Sequence, residues 1–426
     1  MNSSWAALRH PIFRSLWIVS AISSTCVAAH DNAATFLMNT QAGPSFLISL
    51  ISMTAALPFF LFTIPAGILA DRLNRKKLLC AINLWLAAGA FGLVIFSWLK
   101  VLSPWLILFC VFLIGAGFAF NAPASTAIVA QLVPKTELAS VATLNGLQFN
   151  ISGIAGPALG GLLIPVIGVN PIFTANAACF LVVVLVLRRC KQPIDRSDDC
   201  SEQPRPSFGA VVRCVRATPR LQVVMARNFE FSFFMSAIPA VAPVIGLKGL
   251  HFNSSELGLL FASMGAGSVI AALFILPWVR KLFAGHVLIL SNSVIALIYL
   301  LIPFIHASSF FFLAAAFAGA GWTVSASELW VAGQQAIPDW ARGRLTAAII
   351  TISQGATVAG GVIWSGLIVM EGANHALLEA GVLFSITVLL TMGYGRVNRF
   401  VSAFAGIKAA FSQRTSQITS TEVAPA

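Results

Sequence analysis

The sequence predicts an all-α membrane protein: twelve transmembrane helices arranged as two six-helix pseudo-repeats. Three observations carry that reading. Of 426 residues, 58% are hydrophobic and only 9% are charged, against about 25% charged in a soluble domain. Such a chain cannot be a water-soluble fold. Apolar runs long enough to cross a bilayer as helices fall near residues 13–38, 45–70, 78–99, 105–131, 141–164, 171–187, 222–245, 257–279, 287–305, 309–335, 345–370 and 376–395. The cations alternate in density from loop to loop. One side takes Arg9, Arg14, Arg72, Arg75, Lys76, Lys77, Lys135, the eight from Arg188 to Arg220, Arg280, Lys281, Arg342, Arg344, Arg396, Arg399, Lys408 and Arg414. The other keeps Lys100 and Lys248, while Arg227 falls inside a span. This positive-inside pattern puts both termini in the cytoplasm. The net charge of +12 is therefore a topology signal and implies no nucleic-acid partner.

Along the chain, the first run continues past the small-residue stretch Val27-Ala28-Ala29 to Met38, so it reads as a retained span rather than a cleaved leader. Between the second and third runs lies GILADRLNRKK, Gly67 to Lys77. This link is too short for a domain, so its two helices turn back on each other at the membrane surface. Asp71 stands at the end of the preceding helix, where a carboxylate is costly without a partner. The fifth run contains GIAGPALGG, Gly153 to Gly161, which permits close backbone approach and a bend around Pro157. Residues 1–187 thus form a first six-helix bundle.

The polar segment 188–220 is a flexible linker. Its end carries an amphipathic helix in which Phe208, Val211, Val212 and Val215 face the inner leaflet. Residues 221–395 form the second bundle, and 396–426 a partly disordered tail. Sliding the chain by 204 residues pairs Gln131-Leu-Val-Pro134 with Gln335-Ala-Ile-Pro338, Asn150 with Gln354, and Gly156 with Gly360. The second-half counterpart of the charged turn, Pro277 to His286, keeps cations but lacks the acid.

Charges inside spans are the sharpest functional clue, since each costs about 2.5–3.5 kcal/mol at a helix centre. Asp31 stands on the first helix, Arg227 and Glu230 on the seventh, and Glu328 on the tenth. At i, i+3 the pair Arg227 and Glu230 shares a face. Either the two neutralise each other, or Glu230 and Glu328 are left to take a proton or meet a cationic substrate. Amides join them: Asn121 on the fourth helix, Asn145, Gln148 and Asn150 on the fifth, and Gln354 on the eleventh. These serve either as interhelical glue or as substrate contacts.

The charged turn resembles the loop signature of the major facilitator superfamily of transporters, G-x-L-A-D-R-x-x-R-K, through Gly67, Leu69, Ala70, Asp71, Arg72, Arg75 and Lys76. The core Gly156, Pro157, Gly160 and Gly161 resembles the antiporter motif of its export branches, although Thr143 and Ser152 replace expected glycines and no arginine occurs near Leu113 on the fourth helix. LRHPIFRSLW, NAPASTAIVAQLVP, GPALGG and IPDWARGRLTA look like the transmembrane secretion effector branch, which includes the enterobactin exporter. The resemblance implies a cavity lined by the first, fourth, seventh and tenth helices. It makes Asp31, Asn121, Gln148, Arg227, Glu230, Glu328 and Gln354 the substrate and proton pathway. Gly67, Asp71, Arg72, Arg75, Gly156 and Pro157 become the conformational gate, with Asp71 docking on the start of the eleventh helix.

The implied function is alternating-access, proton-driven export of a small siderophore-like or drug-like molecule by a monomer. Uptake or exchange on the same fold, or a transport-dead sensor, are the alternatives. The seven cysteines include no C-x-x-C pair and read as fillers and free thiols. No phosphate-binding loop, metal-ligand spacing or nucleophile–base pair is present, so neither an enzyme nor a cofactor or metal protein is expected.

Overall fold

The computed structural model describes residues 6–41, 44–99, 101–134, 137–189, 208–283, 286–338 and 342–391. The side chains of Asp71, Arg72, Asn150 and Arg342, most of the polar linker and the tail from 392 lie outside the described residues. Twelve helices are long and apolar enough to span a membrane. They are α1 (Pro11–Thr40), α2 (Ser45–Arg72), α3 (Arg75–Trp98), α4 (Pro104–Leu132), α5 (Leu138–Ile167) and α6 (Val169–Arg189). After a short helix at Phe208–Ala217 come α7 (Pro219–Gly249), α8 (Ser254–Leu282), α9 (Val287–Phe304), α10 (Ser308–Ala336), α11 (Arg342–Glu371) and α12 (Ala373–Thr391). No strand occurs among the described residues. The bilayer dictates this: backbone groups have no water to bond in the hydrocarbon, so each segment satisfies its own as a helix.

Local chemistry sets the boundaries. The α2–α3 turn is only Leu73 and Asn74, and the Asn74 side chain caps α3 by accepting from the Lys77 N–H at 3.1 Å. A reciprocal capping box between Asn253 and Glu256 starts α8. One residue, Gly168, turns α5 into α6 at φ +78°, which a glycine adopts without strain. Helix α7 breaks at Ser236, because Pro239 lacks the N–H that would bond the Met235 carbonyl. The exteriors carry exposed Ile95, Phe109, Leu162, Leu185, Phe274 and Leu389, as lipid contact requires.

Alternation of twelve spans puts the cation-rich turns at one end, the basic face. The two ends are packed differently. At the opposite face one apolar cluster includes both sets of six helices, joining Ile48, Ile51, Ile164 and Phe173 to Val241, Leu257, Trp364 and Phe384. At the basic face, clusters stay within one set. Leu78, Ile82, Ile128 and Phe180 form one, and Phe13, Val141 and Leu144 another. Leu221, Val224, Leu345 and Ile349 form a third, and Leu276, Val279, Val287 and Val324 a fourth. Among the described residues, then, an apolar cluster joins the halves at the opposite face, and at the basic face each apolar cluster stays within one half.

Glycines make the join possible. On α5, Gly156 and Gly160 rest on Ala28 and Ala29 of α1, where an added Cβ would lie 2.5 and 3.3 Å from their Cβ atoms. The next face of the same helix, Gly153, Pro157 and Gly161, rests on Gly258 and Gly265 of α8. One glycine run thus binds α5 to its own bundle and to the other. The 204-residue repeat holds here: Gly360 of α11 presses on Phe233 and Ser236 of α7, as Gly156 does on α1.

A Cβ on Gly258 would meet the Pro157 carbonyl oxygen at 2.5 Å and the Gly161 Cα at 2.8 Å, backbone atoms that cannot swing aside. Gly258→Ala is expected to prise the opposite face apart. In a cysteine-free protein carrying Ser49→Cys and Ser365→Cys, whose hydroxyls lie 2.7 Å apart, disulfide cross-linking should fall at least severalfold. Unchanged cross-linking would show the α5–α8 contact to be dispensable.

Candidate functional site: paired crevices and a lone carboxylate

Each half contains a crevice between its first and fourth helices. In the first half a cavity of about 280 Å³ is lined by Trp17, Ser20 and Ser24 of α1, Asn83 of α3, Phe118, Asn121 and Ser125 of α4, and Asn145 and Gln148 of α5. The Gln148 amide donates to Ser24 Oγ at 2.9 Å, and Ser125 Oγ donates to Asn121 Oδ1 at 2.5 Å. In the second half a cavity of about 370 Å³ is lined by Asn228, Phe231 and Ser232 of α7, Trp322 and Trp330 of α10, and Ser353, Gln354 and Thr357 of α11. Ser353 Oγ donates to Asn228 Oδ1 at 3.5 Å. The two are related by the repeat, which sets Ser24 against Asn228 and Phe118 against Trp322. Among the described residues, no ionisable group lines either crevice.

Asp31 sits above the first crevice. Thr25 and Asn32 of α1 bond to α5, through Ser152 Oγ at 3.3 Å and the Pro157 carbonyl at 3.2 Å. Cys26 and His30 face α6, against Cys179 and Phe173. Asp31 falls on the remaining side, in one stripe with Ser20 and Ser24 at the 3.6-residue repeat, and it is exposed. A carboxylate this far into a span is costly unless water or a partner reaches it.

The other intramembrane charges lie elsewhere. Glu328 pairs with Arg280 of α8 at 2.5 Å and projects from the side of α10 away from Trp322, Ala326 and Trp330. Glu328, expected in the pathway with no charged neighbour on its own helix, is thus paired in this structure to an arginine near the end of another helix. No ion pair joins Arg227 to Glu230 among the described residues. Both lie on the stripe of α7 that continues to Phe234, which stacks on Phe384 of α12 at 4.8 Å and accepts from Tyr299 of α9. The crevice residues Asn228, Ser232 and Met235 occupy another stripe, so in this structure the two charges do not line it.

Of the gate residues, Gly156 and Pro157 form the α1 and α8 contacts described above. Gly67 has nothing within 4 Å of an added Cβ. Arg75 begins α3. Asp71 closes α2, and the docking expected of it falls outside the described side chains. Sequence reasoning missed Asn228 and the indoles of Trp17, Trp322 and Trp330. Applying the 204-residue shift to Ser24 would have found Asn228. It also missed the contact between Cys26 and Cys179, whose sulfurs lie 3.4 Å apart.

The transmembrane secretion effector family model matches residues 2–404. The chain belongs to this family of major facilitator transporters. Macrolide efflux protein A of Streptococcus pyogenes is 24% identical over 265 residues, covering 62% of this chain and 65% of that protein. The enterobactin exporter EntS of Citrobacter koseri is 24% identical, over 62% of this chain and 63% of its own length. The chain thus spans just under two thirds of these relatives. A bacterial homologue of the human lysosomal transporter Spinster, in an inward-facing and unoccupied conformation, superposes with a TM-score of 0.67 at 14% identity, covering 90% of this chain and 94% of that one. The POT family transporter PepTSo gives 0.71 at 10% identity, with 91% and 98% covered. The molecule is a multi-pass membrane protein of this family.

The Arg280–Glu328 pair tests the placement of the transporter's charges. With 44% and 26% of the two side chains exposed, losing one partner should cost about 1 kcal/mol and lower the yield of folded protein. Glu328→Gln combined with Arg280→Gln should restore the yield, with transport per folded molecule within about twofold of wild type. A well-folded but inactive double variant would return Glu328 to the pathway.

Proposed function

We propose that this protein is a proton-coupled exporter, here open toward the cytoplasm, that carries an amphipathic, hydroxyl-rich molecule with at most one positive charge. The observation carrying this is the pair of crevices, with amides, hydroxyls and indoles on both halves and no cation among the described lining residues, beside an exposed carboxylate, Asp31, on the same stripe of α1 as Ser20 and Ser24. Amides and hydroxyls bond neutral oxygen functions, and indoles stack on apolar rings and attract cations. A polyanionic molecule would find no counter-charge among the described lining residues. A macrolide, with its hydroxylated lactone and amino sugar, would find one at Asp31, and macrolide efflux proteins are among the relatives. The basic face is assigned to the cytoplasm of a bacterial inner membrane by its lysines and arginines, which makes it the loading side.

Asp31 is the coupling residue in this reading. A proton and a substrate ammonium compete for one carboxylate, so binding either releases the other and exchange follows. Crevice residues from both halves grip the substrate and bring the halves together as the cavity closes.

In proteoliposomes with an imposed pH gradient, the wild type should drive an uncharged or monocationic macrolide against its concentration gradient. Asp31→Asn should lose gradient-driven movement by at least tenfold while retaining substrate–substrate exchange. Gradient-driven transport at the wild-type rate by Asp31→Asn would remove it as the coupling site. Movement with the proton flow instead of against it would make the protein a symporter.

A further inference from the structure

Four prolines in α5 and α7 leave carbonyls that their own helices cannot satisfy. Pro165 has no N–H, so the Gly161 carbonyl four residues earlier loses its helical partner, and Pro243 does the same to the Pro239 carbonyl. A dry unpaired carbonyl in a membrane protein costs several kcal/mol. Both oxygens are satisfied by the other half of the molecule. Ser255 Oγ of α8 donates to the Gly161 carbonyl at 3.2 Å, and Ser52 Oγ of α2 donates to the Pro239 carbonyl at 2.8 Å. A third bond, Ser49 to Ser365 at 2.7 Å, lies alongside the second. All three stand at the opposite face, where the halves are joined.

We propose that Ser52 and Ser255 are latch residues that set the balance between the two facing states, acting on carbonyls released for them by Pro243 and Pro165. When the opposite face is shut, each carbonyl takes a serine from across the seam. When it opens, water enters and replaces the serine. The exchange of one hydrogen bond for another keeps the two states close in free energy, as a carrier that must cycle requires. Without the prolines each helix would bond its own carbonyl, and the serines would lose these acceptors. The close approach of Gly161 to Gly258, where an added Cβ would lie 2.8 Å from the Gly258 Cα, brings Ser255 within reach. The Ser255 bond involves neither the substrate crevices nor Asp31, whereas the Ser52 bond ends on Pro239, at the edge of the second crevice.

The test reads accessibility and needs no transport. Ile48, 1% exposed in the shut seam, is replaced by cysteine in a cysteine-free protein, and its labelling by a membrane-impermeant maleimide is timed from the opposite face. Ser255→Ala leaves a dry carbonyl only in the shut state, so labelling should quicken about fivefold, as should that of Ser52→Ala. Ser255→Thr keeps the hydroxyl and should label like wild type. Pro165→Ala gives the carbonyl back its helical donor, so Ser255→Ala together with Pro165→Ala should label within about twofold of wild type. Labelling by Ser255→Ala no faster than wild type would overturn the proposal. So would equal acceleration by the threonine variant, or an increase in the double variant as large as in Ser255→Ala alone.

Discussion

The absence of water in the bilayer governs this molecule at every scale. Because no backbone N–H or C=O can be left to lipid, the chain answers with twelve helices and turns as short as Leu73–Asn74 and Gly168. The same rule makes each proline inside a span an event with consequences. Pro239 breaks α7 at Ser236, and Pro165 and Pro243 hand carbonyls to serines in the other half. Charges obey it too: Glu328 takes Arg280, and Asp31 is left exposed.

The two ends of the molecule differ because they solve the packing problem differently. At the opposite face small residues let backbones touch, and dispersion plus a few hydrogen bonds hold the seam. At the basic face the apolar clusters are complete within each half, so nothing apolar is stranded when the halves part there. A transporter that alternates needs both conditions, since each face must be stable open as well as shut. The paired crevices lie between the first and fourth helices of each half. Motion of one half against the other therefore changes their separation while leaving each lining intact.

Much of this was legible in the sequence, and its failures share a cause. Hydropathy locates residues in depth, so the spans, the charged turn and the repeat could be read directly. Asn121, Gln148 and Gln354 line the two crevices, and Asp31 is exposed. Depth does not give direction around the helix axis, however. Glu328 is deep enough to be costly, yet it turns toward Arg280 near the end of α8, and Arg227 and Glu230 are not among the described residues lining the second crevice. The repeat contained the missing direction. Cys26 is the equivalent of Glu230 under the 204-residue shift, and it faces α6 and not the cavity. The serine latches were hidden for another reason: a proline announces a freed carbonyl, but only packing shows which hydroxyl reaches it.

The central claim is that one rigid-body movement about the glycine–proline seam opens one face as it closes the other. Pulsed electron-spin distances test it most directly, in nanodiscs, with one label pair at Val166 and His251 on the opposite face and another at Thr143 and Lys281 on the basic face. Raising substrate, or acidifying so as to protonate Asp31, should shift the two distance distributions reciprocally, the basic-face pair shortening in the same fraction of molecules in which the opposite-face pair lengthens. Distances that change at one face alone, or that lengthen together, would contradict it.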